Sequence, residues 1–97
     1  MKDPRQIASK FKHAADFGVT GNYNRANGAK FEAAIDAHVA RPGIRVIPGT
    51  YRHSQRVIHY VDPASGLDVM TDSGANFVSG WKLNPTQLQN VLKNGSL

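Results

Sequence analysis

Residues 55–83 read QRVIHYVDPASGLDVMTDSGANFVSGWKL. Gln55 to Val61 alternates around Val57, Ile58, Tyr60 and Val61, the pattern of a half-buried strand. Asp62-Pro63-Ala64-Ser65-Gly66 is rich in turn formers. Leu67 to Thr71 reads as the next strand, Asp72-Ser73-Gly74-Ala75-Asn76 as a second turn, and Phe77 to Leu83 as a third strand. Upstream, Ile44 to Arg52 carries β-branched residues interrupted by Pro48-Gly49, which predicts a strand with a break or bulge. Together these spacings describe a meander of three or four antiparallel strands. On the last strand the pleat puts Phe77, Ser79 and Trp81 on one face and Val78, Gly80 and Lys82 on the other. Gly80 marks a bend or a close backbone approach.

The meander is flanked by helical sequence. Asp3 and Pro4 read as N-cap and first residue of a helix whose apolar stripe is Ile7, Phe11 and Ala14, with Gly18 as its stop. At 3.6 residues per turn, His13 falls away from that stripe and shares a face with Gln6, Lys10 and Phe17. Lys12 sits beside Asp16 instead. Residues 19–28 are a Gly- and Asn-rich loop. A second helix is expected from about Asn27 to Ala40, with Phe31, Ala34, Ile35 and Val39 inward and Pro42-Gly43 ending it. Asn84-Pro85 caps a final helix carrying Leu88, Val91 and Leu92, closed by Gly95. The order is ααββββα. That predicts one α+β domain over residues 1–97, with helices packed on one face of a four- or five-stranded antiparallel sheet.

Composition narrows the function. Twelve Lys and Arg face seven acids, giving a net charge of +5 and a pI of about 9.9. Such a balance suits a polyanionic partner, most simply nucleic acid. The 97 residues include no cysteine, so disulfide scaffolds and thiolate zinc sites are excluded. No apolar run is long enough to span a membrane. The start, Met1-Lys2-Asp3-Pro4, lacks the apolar region of a signal peptide. The four histidines, His13, His38, His53 and His59, form no HxxxH or HExxH pattern, so neither a metal site nor a cofactor is expected. GxxxxGK, GxGxxG and GxSxG motifs are absent as well.

Two clusters remain, Lys10-Phe11-Lys12-His13 and Ser79-Gly80-Trp81-Lys82. Brought together they would suit metal-free cleavage of RNA. There the substrate's own 2′-hydroxyl is the nucleophile. The protein must move protons at that oxygen and at the leaving 5′ oxygen, and must stabilise charge on the phosphorane. A histidine titrates in the right range. Lysine supplies charge, a hydroxyl can bond a non-bridging oxygen, and an aromatic ring can stack an unpaired base. Each residue also has a plainer reading. His13 could be a surface histidine in a basic face, and Trp81 a core ring with its N–H bonded. His59 reads as a sheet-face histidine, and His38 as a partner of its helix's C-terminal dipole. Arg52 and His53 could be a phosphate-binding edge or a polar strand end.

Lys10-Phe11-Lys12-His13-Ala14 with Asp16-Phe17-Gly18, Gly49-Thr50-Tyr51-Arg52, and Ser79-Gly80-Trp81-Lys82-Leu83-Asn84-Pro85 together resemble, in order and spacing, the colicin D-like ribonuclease domains. The resemblance implies a fold similar to the barnase, EndoU, colicin and RelE group. It implies a metal-independent tRNA endoribonuclease toxin leaving 2′,3′-cyclic phosphate and 5′-hydroxyl ends. Such domains form the C-terminal part of bacteriocins and of CdiA-type contact-dependent inhibition proteins. They are exported within a larger effector, act in the target cell's cytoplasm, and are neutralised by a cognate immunity protein. Some relatives need a translation factor such as elongation factor Tu. By the same resemblance His13, Lys10, Ser79 and Trp81 are catalytic, and Lys12, Thr50, Arg52 and Lys82 bind RNA. The alternative from a different class is a non-catalytic basic RNA-binding module.

Overall fold

The computed structural model describes residues 3–52 and 54–97. Its elements are α1 (Pro4–Lys10), a 3₁₀ helix (Phe11–Phe17), α2 (Arg25–Val39), strands β1 (Arg45–Tyr51), β2 (Gln55–Val61), β3 (Leu67–Thr71) and β4 (Phe77–Lys82), and α3 (Pro85–Asn94). The strands form one antiparallel sheet in the order β1-β2-β3-β4, as a meander with short turns must. The fold is therefore the expected α+β arrangement.

The helix ends follow their capping residues. The Asp3 side chain accepts from the Arg5 N–H with Pro4 at the first helical position, and Gly18 closes the 3₁₀ helix at φ 83°. Asn24 caps α2, so that helix begins slightly earlier than its apolar pattern suggests. Asn84 and Gln87 form a reciprocal capping box on α3. The Pro48-Gly49 pair does not break β1, which stays in register with β2 from Arg45 to Tyr51. Proline is tolerated there because β1 is an edge strand.

The helices cover both faces of the sheet rather than one. Tyr60, Val69 and Phe77 pack with Ile7, Ala14, Phe31 and Ile35 from the N-terminal helices. Val61, the neighbour of Tyr60 on β2, points the other way and packs with Leu83, Val91 and Leu88 around α3. Phe31 is fully buried at the centre of the first core. Removing a buried ring of this kind costs about 3–5 kcal/mol.

Two departures from regular geometry shape the rest of the molecule. After Lys10, at φ −100° and ψ 5°, the first helix tightens into the 3₁₀ form. Side chains then eclipse every third residue, so Phe11, Ala14 and Phe17 make the inward stripe. Phe17 consequently packs against Phe31 instead of sharing the face of His13. On β4 the register passes from Met70↔Ser79 to Thr71↔Phe77, so Val78 is the extra residue of a bulge. Phe77 and Ser79 therefore face opposite sides, while Ser79 and Trp81 still face together.

Candidate active site

The tightened turn puts Lys10, His13 and Asp16 on one stripe, and that stripe lies along the edge strand β4. An edge strand exposes unpaired peptide groups. Here two N-terminal side chains take up two of them. Gln6 Nε2 donates to the carbonyl of Val78, which the bulge leaves outside the ladder. The Lys82 N–H donates to Asp16 Oδ2 at 3.0 Å, across 66 residues of sequence. Gly80 completes the approach: a Cβ there would lie 2.8 Å from the Asp68 carbonyl and 3.2 Å from the Phe17 ring. The close approach expected at Gly80 is the one observed.

These clasps bring the two clusters together. The rings of His13 and Trp81 lie 5.5 Å apart, centre to centre, tilted by 34°. Trp81 is half-buried, and its Nε1–H points to Gln87 Oε1 at 3.4 Å, the same oxygen that caps α3. Tyr51 at the end of β1 reaches across, with its ring 5.8 Å from that of Trp81. Lys10 Nζ stands 6.0 Å from the Tyr51 ring centre, and the Arg52 guanidinium 5.1 Å from it. Arg52 holds a left-handed φ of 53° in the β1–β2 turn, a strained conformation for a non-glycine residue. The result is a half-open row of rings, His13, Trp81 and Tyr51, edged by two cations.

His13 is held below the ordinary histidine value. Partial burial is the main cause, followed by the charge of Lys12, with Lys10 adding to it and Asp16 opposing. A neutral imidazole beside two ammonium groups can accept a proton, and once protonated it is a stronger acid than free histidine.

Lys12 is exposed on a different stripe and lines a groove with Phe11, Ala15 and Tyr23, away from Trp81. It reaches His13 through charge rather than contact. Lys82 is exposed beside the clasp. Thr50 has both peptide groups engaged: its N–H donates to Gly95 O at 2.8 Å and its carbonyl accepts from the Leu97 N–H at 3.1 Å. Ser79 is fully buried, and its Oγ has no hydrogen-bond partner among the described residues. The expected contact from that hydroxyl to a phosphate oxygen does not fit this placement unless side chains at the β4 edge shift. His53 lies outside the described residues. His38 is buried, with Nε2 2.7 Å from the Tyr60 carbonyl, so it anchors α2 to β2 in addition to suiting the helix end.

Sequence reading missed Asp16, Gln6 and Asp68. Nothing at the level of residue type separates Asp16 from any helical acid, since its partner is a main-chain group far along the chain. Asp68 lies opposite Trp81 on β3 and is buried with His59. The alternation of β2 and β3 puts both on one face, a signal available in the sequence. Among the described residues no group of three or more metal-binding side chains is gathered, and no helix is long and apolar enough to cross a membrane.

Fold and site together define a class: a small basic α+β domain whose histidine, backed by an indole and flanked by lysines, sits at the open edge of an antiparallel sheet. The family model for Colicin D matches residues 6–91, and the chain belongs to that family. It is 38% identical over 82 residues to Colicin-D of Escherichia coli, an alignment covering 84% of this chain and 12% of that protein. The chain thus spans only a small part of that relative's length. Among solved structures it is similar to a ribonuclease from Escherichia coli complexed with its inhibitor protein. The TM-score is 0.80 and the identity 34%, covering 95% of this chain and 100% of that one.

Proposed function

We propose that this domain is a metal-independent endoribonuclease toxin acting on tRNA. The observation that carries the reading is His13 held against Trp81 on the same stripe as Lys10, with its proton affinity lowered. The structural likeness to a ribonuclease bound to its inhibitor supports it.

In this reading the 2′-hydroxyl attacks the adjacent phosphorus. His13 makes one of the two proton transfers, from the attacking oxygen or to the leaving 5′ oxygen, and water makes the other. Lys10 stabilises the charge that grows on the phosphorane. The products are a 2′,3′-cyclic phosphate and a 5′-hydroxyl. Trp81 fixes the imidazole and offers a ring to the substrate. Arg52, Lys82 and Lys12 hold the backbone, with Thr50 supporting the edge that carries Tyr51 and Arg52. Ser79, whose hydroxyl has no partner among the described residues, is assigned to the bound state. A cognate immunity protein covers the basic face, and a larger effector delivers the domain to the target cytoplasm.

Incubating purified protein with total tRNA in excess EDTA tests the reading. EDTA-resistant shortening of a tRNA band is expected. A mobility shift without cleavage, both alone and in a cell extract that supplies translation factors including elongation factor Tu, would favour the non-catalytic RNA-binding module.

A further inference from the structure

The sheet face that carries Ser79 and Trp81 also holds a buried ionisable pair that the proposed chemistry does not use. His59 and Asp68 are both fully buried, with His59 Nδ1 2.7 Å from Asp68 Oδ2. The other ring nitrogen, Nε2, faces two carbonyls, Gly95 at 2.8 Å and Thr50 at 3.2 Å. A carbonyl cannot donate, so Nε2 carries a hydrogen whichever partner holds the proton between Nδ1 and Oδ2. Burial works against a charged ring here. The Asp68 bond and charge, together with the Gly95 and Thr50 carbonyls, outweigh it and raise the His59 pKa.

The carbonyls at Nε2 mark a crossing of main chains. Gly95 ends α3 at φ 74°, and the tail then runs beside β1 as a short parallel bridge between Thr50 and Ser96. The approach is backbone on backbone. A Cβ on Gly49 would lie 1.9 Å from the Gly95 oxygen, and one on Gly95 would lie 2.6 Å from the Pro48 oxygen. One residue beyond Thr50 stands Tyr51, against Trp81 and beneath Lys10. Asp68 Oδ1 has no partner among the described residues, and Oδ2 meets His59. A pair so costly to bury is weak as a source of stability and is better explained by what it holds in place.

We propose that His59 is a positioning residue for the candidate site, with Asp68 as the group that orients its ring. The ring pins the carbonyls of Thr50 and Gly95 where the tail crosses β1, and so sets Tyr51 and Arg52 against Trp81 and Lys10. Neither residue touches RNA.

Two substitutions separate the arms of the pair. His59→Asn keeps a donor for Asp68 but is too short to reach Gly95 and Thr50. Asp68→Asn lets the carboxamide donate to Nδ1 and leaves the Nε2–H on the carbonyls. For folded protein, His59→Asn should raise the KM for RNA on the order of tenfold while kcat changes less than threefold, and Asp68→Asn should stay near wild type. Gly49→Ala, which drives the tail off β1 without touching the pair, should reproduce the KM increase if His59→Asn does not fold. Wild-type KM in folded Gly49→Ala or His59→Asn would overturn the proposal, as would equal impairment in Asp68→Asn. The kinetic arm rests on the ribonuclease reading. Emission from Trp81, the single tryptophan, supplies an arm that does not. It should change in His59→Asn and Gly49→Ala without RNA, and unchanged emission in those two would overturn the proposal even if the wild type cleaved no RNA.

Discussion

Asp16 accepts the main-chain N–H of Lys82, and this one bond fastens the turn that carries His13 to the strand that carries Trp81. It also puts a carboxylate three residues from His13, on the same 3₁₀ stripe. Asp16 therefore acts on position and on charge, and substitutions can divide the two.

Asp16→Asn keeps an acceptor for Lys82 but removes the charge that raises the His13 pKa. The ring should stay against Trp81 while its pKa falls further. Asp16→Ala loses both effects, costs about 1 kcal/mol of stability, and should lower RNA cleavage on the order of tenfold. Histidine NMR titrations read the charge effect, and thermal melts with cleavage assays read the positional one.

His13 should titrate below 6.5, its ordinary value, because burial and the charges of Lys12 and Lys10 disfavour the imidazolium. Below 6.5 the unfolded chain takes up a proton that the folded site resists, so this residue's contribution to stability falls as pH drops through that window. Above it the contribution is complete. Lys12→Ala and Lys10→Ala should each move the titration upward, and NMR of the ring proton checks all three.

Lys10→Ala should also weaken RNA binding. If the ammonium neutralises one phosphate, the slope of log K against log salt shrinks by about 0.7–0.9. An unchanged slope in filter-binding titrations would place Lys10 off the RNA backbone.

Ser79 carries a buried hydroxyl with no partner among the described residues, an arrangement that costs about 1–3 kcal/mol where water is excluded. Ser79→Ala should therefore melt at the same temperature or higher, yet cleave RNA more slowly. A drop in both would mark Ser79 as an ordinary structural residue.

Much of the fold was legible because its signals are local. The turns at 62–66 and 72–76, the caps at Asp3 and Asn84, and the stops at Gly18 and Gly95 each state their geometry in neighbouring residues. What was not legible depends on partners distant in sequence. The tightening after Lys10, which turns Phe17 inward, is invisible to a 3.6-residue period. The bulge at Val78 reverses Phe77 without any glycine or proline to announce it. α3 has an apolar stripe, but nothing in the stripe says which face of the sheet it covers. At the site, Lys10, His13 and Trp81 were singled out by residue type and by family resemblance, whereas Asp16 and Gln6 work through main-chain groups that no pattern names.

His13 is the residue proposed to move a proton in RNA cleavage. The most direct test is the single-turnover rate of tRNA cleavage in EDTA by wild type and by His13→Ala, both shown folded by circular dichroism and both supplemented with cell extract. Loss of a proton-transfer group at this position should slow the step on the order of 10²–10⁴-fold. A folded His13→Ala protein that cuts at the wild-type rate would rule out that role for His13.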